Sequence, residues 1–320
     1  MGCEFRRGSK KIKVTKINAN AFFVNDDIVN GIKYHINRKD NSKFDMCIID
    51  PPYYRKVDQE WDKQWFTRND YLAWCKSWIE EIAGVVKKSA TIWLFGYPEE
   101  LSYLLKYMRE FGFQFKQQIV IDKGLQSIAG RSSKNLKMFP TATEYLYLFY
   151  NDSRDYIRDE LQKERKRLGW TGADVNKYLG KATTGGGTFS TIASEKKPRE
   201  YRIYPTKDDW VKLQEVMNLP DYEDLVYTFK VPKGVTDVWN DISFYNRPEK
   251  KIHPTQKPTD LIQRIIDTAE YPQRILDPFS GSGSTYQAIK QSEFGNDHMF
   301  LGIEKDEDMF RKSIEYVSKR

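Results

Sequence analysis

The chain has 320 residues, enough to bury a full hydrophobic core, and carries a formal net charge of +7 with a pI of about 9.0, which suits a polyanionic partner without identifying it. Cys3, Cys47 and Cys75 are odd in number and lack the spacing of a zinc site, which argues against a disulfide framework and a bound metal. No stretch reaches the ~18 apolar residues of a membrane span, and the amino terminus lacks a signal-peptide core, so we expect a soluble, cytoplasmic protein.

The first predicted element is an apolar strand over 21–24, which is followed by the acids Asp26 and Asp27 and by a helix over 28–36. Asp27 directly precedes the helix, at the position that a capping residue takes. Asp26 is one position closer to the strand and is the better candidate for a ligand at the strand's end.

The next predicted strand, over 46–49, leads directly into Asp50-Pro51-Pro52-Tyr53. Open α/β sheets carry their chemistry at the carboxyl ends of strands. Each proline fixes φ and lacks an N–H, so the carbonyls of Asp50 and Pro51 stay free to accept hydrogen bonds. A carboxylate, a free carbonyl and an aromatic ring can hold a planar amine, although the same tetrapeptide is also typical of a strand-ending turn.

The residues after this motif predict a loop and then an alternation of helices and strands. Segment 54–64 is polar and aromatic without periodicity. Four large side chains then recur at helical spacing and are expected to be core: Tyr71, Trp74, Trp78 and Ile82. Strands over 91–95 and 115–121 flank a helix over 98–109, which is the rhythm of a doubly wound sheet.

A basic segment follows and leads to another strand, over 143–149. Arg131, Lys134 and Lys137 lie in this segment. They either belong to a solvated surface loop or form a clamp that neutralises DNA phosphates.

From residue 151 the composition changes to a charged run, and the pattern predicts a mainly helical insert over 151–235. Two short helices around the turn at Gly169 suggest a helix-turn-helix-like arrangement. Its polar residues would read base edges in a major groove if the insert recognises DNA, whereas a charged helix is also typical of a solvated face.

Near the end of the chain, a strand over 274–276 runs into a glycine loop, Asp277 to Thr285, and a helix over 286–290. Glycines let the backbone approach a ligand, and the N–H groups at a helix start favour a polar or anionic group. The loop lacks the ending of a Walker loop, and Tyr286 stands where a dinucleotide loop has its third glycine, so both interpretations weaken. A last strand, over 299–304, ends in Glu304 at about the 20-residue distance at which such folds hold a ribose.

Three motifs resemble those of the S-adenosylmethionine-dependent DNA amino-methyltransferases, which methylate exocyclic nitrogens of adenine or cytosine. In this chain the catalytic motif comes first and the cofactor loop last. Residues 50–53 resemble the catalytic motif, 277–285 the cofactor loop, and His253-Pro254-Thr255-Gln256-Lys257-Pro258 the segment before that loop. The order resembles the circularly permuted beta class. The resemblance covers most of residues 15–320 and matches the insert only loosely.

The resemblance implies a doubly wound, mostly parallel, seven-stranded Rossmann-like sheet with an inserted helical region. Residues 1–150 would form the catalytic half of the methyltransferase domain, residues 151–235 a target-recognition insert, and residues 236–320 the cofactor-binding half. Segment 54–64 resembles the loop that closes over an extruded base.

The resemblance also implies the site residues. The catalytic residues are Asp50, Pro51, Pro52 and Tyr53. S-adenosylmethionine is expected to contact Asp26 at its adenine, Glu304 at its ribose and Lys257 at its carboxylate. The other expected cofactor residues are Asp50, His253, Thr255, Asp277, Phe279, Ser280, Gly281, Gly283, Ser284 and Thr285, and no metal is expected.

The implied activity is site-specific methylation of double-stranded DNA at adenine N6 after base flipping. An aspartate at the start of the catalytic motif is more similar to the adenine enzymes than to the cytosine-N4 enzymes, which commonly begin with serine. A cytosine-N4 enzyme, an RNA methyltransferase and a catalytically inactive DNA-binding regulator stay open as alternatives. Similar enzymes also suggest a homodimer and a cognate restriction endonuclease as partners.

Overall fold

The computed structural model describes residues 2–7, 10–37, 42–55, 64–128, 137–184, 187–245 and 251–319. The chain divides into two compact units. The first comprises residues 1–86, 90–150 and 229–320, and the second comprises residues 87–89 and 151–228.

A ten-stranded sheet forms the centre of the first unit. Its strands are β1 (Gly2–Arg7), β2 (Lys10–Lys16), β3 (Ala21–Asn25), β4 (Phe44–Ile49), β5 (Val86–Gly96), β6 (Phe113–Asp122), β7 (Thr143–Asn151), β8 (Val238–Trp239), β9 (Arg274–Asp277) and β10 (Met299–Glu304). Their order across the sheet is β1-β2-β3-β10-β9-β4-β5-β7-β6-β8. Strands β3, β10, β9, β4 and β5 are parallel, and β7 runs antiparallel to β5.

The predicted number of seven strands is too low, although the doubly wound α/β class is confirmed. The seven strands from β3 to β6 across the sheet make up its centre, and three further strands extend its edges. β1 and β2 form an antiparallel hairpin that joins the sheet through β3, and the two-residue β8 pairs with β6. Residues 2–16 mix basic with apolar residues, and pairing at a sheet edge does not need the apolar run that marks a buried strand.

Ten α-helices lie within the described residues. They are α1 (Ile28–Ile36), α2 (Arg68–Val85), α3 (Pro98–Glu110), α4 (Arg154–Arg167), α5 (Gly172–Leu179), α6 (Gly187–Ala193), α7 (Lys207–Gln214), α8 (Thr259–Ile266), α9 (Ser284–Gln291) and α10 (Glu307–Ser318).

Helices cover both faces of the sheet because successive strand residues point to opposite sides. In β4, Cys47 and Ile49 share one core with residues of α1, α2 and α3. The alternate residues Met46 and Ile48 share a second core with residues of α8, α9 and α10. The alternation confirms that helices cover both faces of the sheet. A site is therefore expected at the carboxyl ends of the parallel strands.

Side-chain caps fix the starts of α1 and α2. The Asp27 side chain accepts the Asn30 backbone N–H at 3.0 Å, so the predicted capping role is confirmed. A reciprocal capping box between Thr67 and Asp70 begins α2. The predicted core face of this helix is also confirmed, since Tyr71, Trp78 and Ile82 are buried and Trp74 is partly buried.

The second unit is helical and has its own core. Ile157 of α4, Val175 of α5, Ile192 of α6 and Trp210 of α7 pack in one cluster, so the predicted helical insert is confirmed. Its role in target recognition stays a prediction, as does the division of the first unit into catalytic and cofactor halves. No described helix combines the length and the apolar character that crossing a bilayer requires.

Candidate active site

Asp50 follows the last residue of β4, between the neighbouring strands β9 and β5. It therefore lies at the carboxyl edge of the parallel part of the sheet. The side chain keeps 30% of its exposure, so a ligand can reach the carboxylate. Among the described residues, no donor is hydrogen-bonded to the carbonyl of the buried Pro51.

Three polar side chains, those of Tyr53, Glu144 and Lys257, form a cluster with the Asp50 carboxylate. The Lys257 Nζ lies 2.9 Å from Asp50 Oδ1 and 2.8 Å from Glu144 Oε1. The Tyr53 hydroxyl is within donating distance of the same two oxygens, at 2.8 Å and 2.9 Å, and can donate to one of them at a time. The side chains of Glu144 and Lys257 are only 6% and 8% exposed, so the ion pair is almost dry.

The charges in this cluster follow from burial and mutual attraction. Burial and the nearby Glu144 raise the pKa of Asp50, and the Lys257 ammonium opposes that shift. Burial also opposes ionisation of Glu144, but Lys257 and Lys123 outweigh it and hold the pKa of that carboxyl below its ordinary value. Burial disfavours the charged Lys257, yet the two carboxylates raise its pKa overall. The cluster therefore holds a protonated lysine, an ionised Glu144 and an Asp50 whose charge depends on Lys257.

Aromatic rings line the same edge. The Tyr53 and Tyr97 rings make an edge contact with centroids 5.2 Å apart. The Lys257 Nζ lies 4.9 Å from the centre of the Phe95 ring, and the Lys123 Nζ lies 5.7 Å from that of Tyr97. Aromatic rings and lysine ammonium groups therefore lie together at the edge where Asp50 lies.

The glycine loop begins at the carboxyl end of the adjacent strand, β9. Asp277 accepts the Thr285 hydroxyl at 2.5 Å and the Phe279 backbone N–H at 3.1 Å. Burial raises the pKa of Asp277 to about 7 despite these two hydrogen bonds. Gly283 has φ of +79°, and a Cβ there would lie 2.8 Å from Val317 Cγ1, so both its backbone and its packing require glycine.

Glu304, at the end of β10, is tied to the loop. Its carboxylate accepts the Gly281 backbone N–H at 2.9 Å and the Asp306 backbone N–H at 2.7 Å, while burial raises its pKa. The Ser280 hydroxyl is 3% exposed and has no hydrogen-bond partner among the described residues. A buried hydroxyl without a partner, next to a glycine backbone that a ligand can approach, can hydrogen-bond a polar ligand.

The remaining predicted cofactor residues lie around this loop. Asp26 is buried at the end of β3, and β3 pairs with β10, so Asp26 and Glu304 lie at the ends of neighbouring strands. The Phe279 ring contacts Trp74 and Trp78, with centroids 5.7 Å and 5.6 Å apart. Ser284 begins α9, with its hydroxyl 3.5 Å from that of Ser282.

The segment before α8 contributes three of the predicted residues. The His253 Nδ1 lies 2.9 Å from the exposed Thr255 hydroxyl, and burial lowers the pKa of this histidine. Four residues later in this segment, Lys257 points its ammonium at Asp50 and Glu144. Its predicted role at a cofactor carboxylate stays a prediction.

Not every predicted residue lies in the described part of the chain. Arg131 and Lys134 lie outside the described residues, as do residues 56–63 of the predicted closing loop, whereas Lys137 is described and exposed. In the ranges that are described, no group of three or more His, Cys, Asp or Glu side chains could hold a metal ion.

Glu144 is the residue of the cluster that the sequence analysis missed. It lies at the amino end of β7, and only the antiparallel direction of β7 brings that end to the edge where β4 and β5 finish. A search along the carboxyl ends of parallel strands does not find it. The acid that opens the strand 143–149 was the one signal available.

Comparison with known proteins agrees with this geometry. A family model described as DNA methylase, of the N6/N4 methyltransferase type, matches residues 44–315. The chain is 24% identical over 278 residues to the Type II methyltransferase M1.MboII of Moraxella bovis, covering 84% of this chain and 87% of that protein. It is 24% identical over 247 residues to the Type II methyltransferase M.HindIII of Haemophilus influenzae, covering 77% and 68%.

A solved structure shares the fold. The M1.HpyAVI–SAM complex aligns with a TM-score of 0.51 and 19% identity, covering 92% of this chain and 97% of that one. Because the family model spans most of the chain, including the Asp50 motif and the glycine loop, the chain belongs to the N6/N4 family of DNA methylases.

Proposed function

We propose that this protein is a site-specific DNA methyltransferase that transfers a methyl group from S-adenosylmethionine to the exocyclic N6 of adenine. The observation that carries the proposal is the pair of acceptors at the end of β4. The Asp50 carboxylate is partly exposed, and the neighbouring Pro51 carbonyl accepts no hydrogen bond among the described residues. An amine with two N–H groups matches two adjacent acceptors.

The cofactor fits the glycine loop and its neighbours. S-adenosylmethionine, when bound, supplies an electrophilic methyl group on a positively charged sulfur. A Cβ at Gly281 would meet only the Phe279 carbonyl, at 3.8 Å, so the backbone there allows a close approach. Gly283 would shape the loop through its positive φ, and the Ser280 hydroxyl is available as a donor. Glu304 would bind the ribose and Asp26 the adenine. The other residues assigned to the cofactor are Asp50, His253, Thr255, Asp277, Phe279, Ser284 and Thr285.

Asp50 and Pro51 would activate the target amine. The lone pair of an exocyclic amine is delocalised into its ring, which makes the nitrogen a poor nucleophile. If the Asp50 carboxylate and the Pro51 carbonyl each accept one N–H, the nitrogen is drawn toward sp³ geometry and its lone pair becomes available. The nitrogen would then bond to the methyl carbon as that carbon's bond to sulfur breaks, and Asp50 would accept the proton that the nitrogen loses. No covalent link to the protein is required.

Tyr53 would receive the extruded base. Taking a base out of a duplex costs a few kcal/mol, and stacking on an aromatic side chain offsets part of that cost. Tyr53 and the buried Pro51 lie in one turn with Asp50, so a base that contacts Tyr53 brings its amine to the two acceptors. Pro52 stiffens this turn because its ring fixes φ.

Adenine is preferred over cytosine because the motif begins with an aspartate. A cytosine-N4 enzyme of the same fold is the alternative, since both bases present an exocyclic amine. An RNA substrate and a catalytically inactive regulator are more remote, and an intact Asp50 beside an intact glycine loop favours an enzyme.

The partner is double-stranded DNA in this proposal, with the helical second unit as the target-recognition region and Arg131, Lys134 and Lys137 on phosphates. The names of the relatives, both Type II methyltransferases, support a place in a restriction–modification system with a cognate endonuclease. A homodimer is proposed from the resemblance alone.

The direct test is transfer of labelled methyl from S-adenosylmethionine to duplex DNA, single-stranded DNA and RNA of matched sequence content. We expect label in duplex DNA with the wild-type protein and none with Asp50→Ala. Label in RNA alone would replace the substrate, and cofactor binding without transfer to any of the three would support an inactive regulator.

A further inference from the structure

We propose that Glu144 and Lys257 are positioning residues for the reaction: Lys257 holds the Asp50 carboxylate toward the target amine, and Glu144 holds Lys257 in place. The inference deepens the proposed function and rests on it. It assigns Lys257 to Asp50 instead of to a cofactor carboxylate.

The geometry of the ammonium is the first observation. Lys257 Nζ lies 2.9 Å from each Asp50 oxygen and 2.8 Å from Glu144 Oε1. The ammonium contacts both Asp50 oxygens, but each oxygen has two lone pairs and can still accept an N–H of the incoming amine. Glu144 shares the ammonium and holds it in place.

The difference in exposure is the second observation. Glu144 and Lys257 are almost fully buried, whereas Asp50 keeps 30% of its exposure. Only Asp50 is therefore open to a ligand, and the other two lie behind it. A charge pair that is almost fully buried is costly to maintain, so its position directly behind Asp50 points to a role there.

The charge balance is the third observation. Burial favours the neutral, protonated form of Asp50, which cannot accept an N–H with the same strength, and Lys257 opposes that tendency. Two carboxylates and one ammonium leave a net charge of −1. That sign suits a site that binds a positively charged sulfur.

The strand topology supplies Glu144 rigidly. Tyr145 pairs with Gly96, so Glu144 lies one residue beyond the paired register, opposite Tyr97. Tyr97 in turn contacts the Tyr53 ring. Glu144 is thus fixed by a strand, and its hydrogen bond with the Tyr53 hydroxyl also holds the ring that is proposed to receive the base.

The pH profile of kcat is the readout, because an ion pair that served only the fold would leave the acid limb of that profile in place. The titratable groups that act on Asp50 or on which it acts are Lys257, Glu144, Tyr53, Tyr97, His253 and Asp277. Glu144 raises the pKa of Asp50, and Lys257 lowers it. Removing one or the other charge should therefore shift Asp50 with opposite signs.

The experiment measures the Asp50 pKa by carbon-13 NMR of labelled aspartate, assigned with Asp50→Asn, together with the pH profile of kcat. In Glu144→Gln the Asp50 pKa and the acid limb of the profile should move to lower pH, and kcat at pH 8 should fall at least tenfold because Lys257 loses the partner that holds it in place. In Lys257→Met both should move to higher pH. The Kd for S-adenosylmethionine should change less than about threefold in Glu144→Gln.

Two further variants keep the result interpretable. Glu144→Asp keeps the charge and should recover part of kcat, and it replaces Glu144→Gln if that variant does not fold. Glu164→Gln removes another buried, ion-paired glutamate, in the second unit, and should leave the Asp50 pKa unchanged. Shifts of the same sign in Glu144→Gln and Lys257→Met, or no shift in either, would overturn the inference.

The positioning role and the proposed function can be refuted separately. If the wild-type protein methylates DNA but the Asp50 pKa is unchanged in both Glu144→Gln and Lys257→Met, only the positioning role is refuted. A wild-type protein that methylates no nucleic acid would refute the proposed function and with it the positioning role in catalysis.

Discussion

Burial opposes the charge of the Asp50 carboxylate, and the proposed reaction needs that charge. Replacing it removes one of the two acceptors for the amine and leaves the glycine loop untouched. We expect Asp50→Ala to lower kcat on the order of 10³-fold, the scale on which a preorganised hydrogen-bonding group acts. Labelled-methyl transfer and calorimetric cofactor binding measure the two effects in the same samples.

The control is Asp308→Ala, which removes an exposed aspartate from the first turn of α10. It should keep kcat within about twofold, as surface changes usually do. Loss of cofactor binding in a folded Asp50→Ala protein would show instead that Asp50 acts mainly on the cofactor.

Asp277 gives a second prediction at the residue scale, concerning stability. Burial raises its pKa to about 7 from an ordinary value of 3.8, so the folded state binds a proton more tightly than the unfolded state between these pH values. The free energy of unfolding therefore falls as pH rises through this window. Asp277→Asn removes this titrating carboxyl. The free energy of unfolding of the variant minus that of the wild type should therefore rise by on the order of 2 kcal/mol from pH 5 to pH 8.

Urea unfolding of both proteins without cofactor, at pH 5 and pH 8, measures this difference. The comparison isolates Asp277 because every other group titrates in both proteins. A difference in stability that is the same at the two pH values would contradict a raised pKa.

At the scale of the element, the two glycines of the loop allow backbone strain to be distinguished from overpacking. Gly283 combines φ of +79° with a Cβ position 2.8 Å from Val317 Cγ1, whereas Gly281 has φ of +46° and only the Phe279 carbonyl at 3.8 Å. Gly281→Ala should lower the free energy of unfolding by about 1 kcal/mol through backbone strain. Gly283→Ala should lower it by about 2–4 kcal/mol, because overpacking adds to that strain.

Denaturant unfolding without cofactor compares the two variants, so that any loss of ligand binding does not enter. Equal destabilisation would show that α10 moves to make room at Val317. In that case the packing of the loop against α10 is softer than the close approach implies.

The second unit depends on one buried arginine. Arg202 is 3% exposed, donates to the Lys197 carbonyl at 2.5 Å and pairs with Asp155 on α4. Arg202→Met removes the donor to the Lys197 carbonyl and one of the three arginines that pair with Asp155, and it should cost about 2 kcal/mol. Arg311→Met breaks an exposed pair and should cost less than about 0.5 kcal/mol.

Amide hydrogen exchange measures both variants and locates the loss. Faster exchange confined to residues 151–228 in Arg202→Met is the expected pattern. Exchange that accelerates throughout the first unit as well would mean that the two units do not unfold separately.

The sequence predicted most elements because their periods are strong. The helix over 28–36, the strand ending at Ile49 and the helix over 172–179 lie where apolar spacing and caps indicated them. The hairpin of β1 and β2 was not predicted. It forms through pairing at the edge of the sheet, and the mixed basic and apolar composition of residues 2–16 does not indicate that pairing.

At the scale of the whole molecule, the proposed binding to DNA should depend on salt, because each phosphate that the protein neutralises releases a counterion. If Lys134 and Lys137 neutralise phosphates, the double change to Ala should reduce the slope of log K against log salt by about 2. The matched control, Lys312→Ala with Lys319→Ala, removes the same charge from the region of α10.

Fluorescence anisotropy with a labelled duplex over a range of salt concentrations measures both slopes. An equal reduction in the two double variants would assign the effect to overall charge. An unchanged slope in the Lys134 and Lys137 variant would make this segment a solvated loop.

The site was predictable only where it follows the rule for parallel strands. Asp50, Asp277 and Glu304 each come at the carboxyl end of a parallel strand, and the sequence alone marked them. Glu144 comes from the start of an antiparallel strand, and Lys257 from a loop whose position depends on the completed sheet. The motif at 253–258 marked Lys257 but not its contact with Asp50, and nothing local marked Glu144, because no local pattern brings residues 50, 144 and 257 together.

The most direct test of the account is the identity of the methylated nucleoside. Genomic DNA lacking methylation would be incubated with the protein and S-adenosylmethionine, digested to nucleosides and analysed by mass. The account predicts N6-methyladenine with the wild-type protein and none with Asp50→Ala. N4-methylcytosine in its place would contradict the adenine assignment, and the absence of any methylated nucleoside would contradict the proposed enzyme.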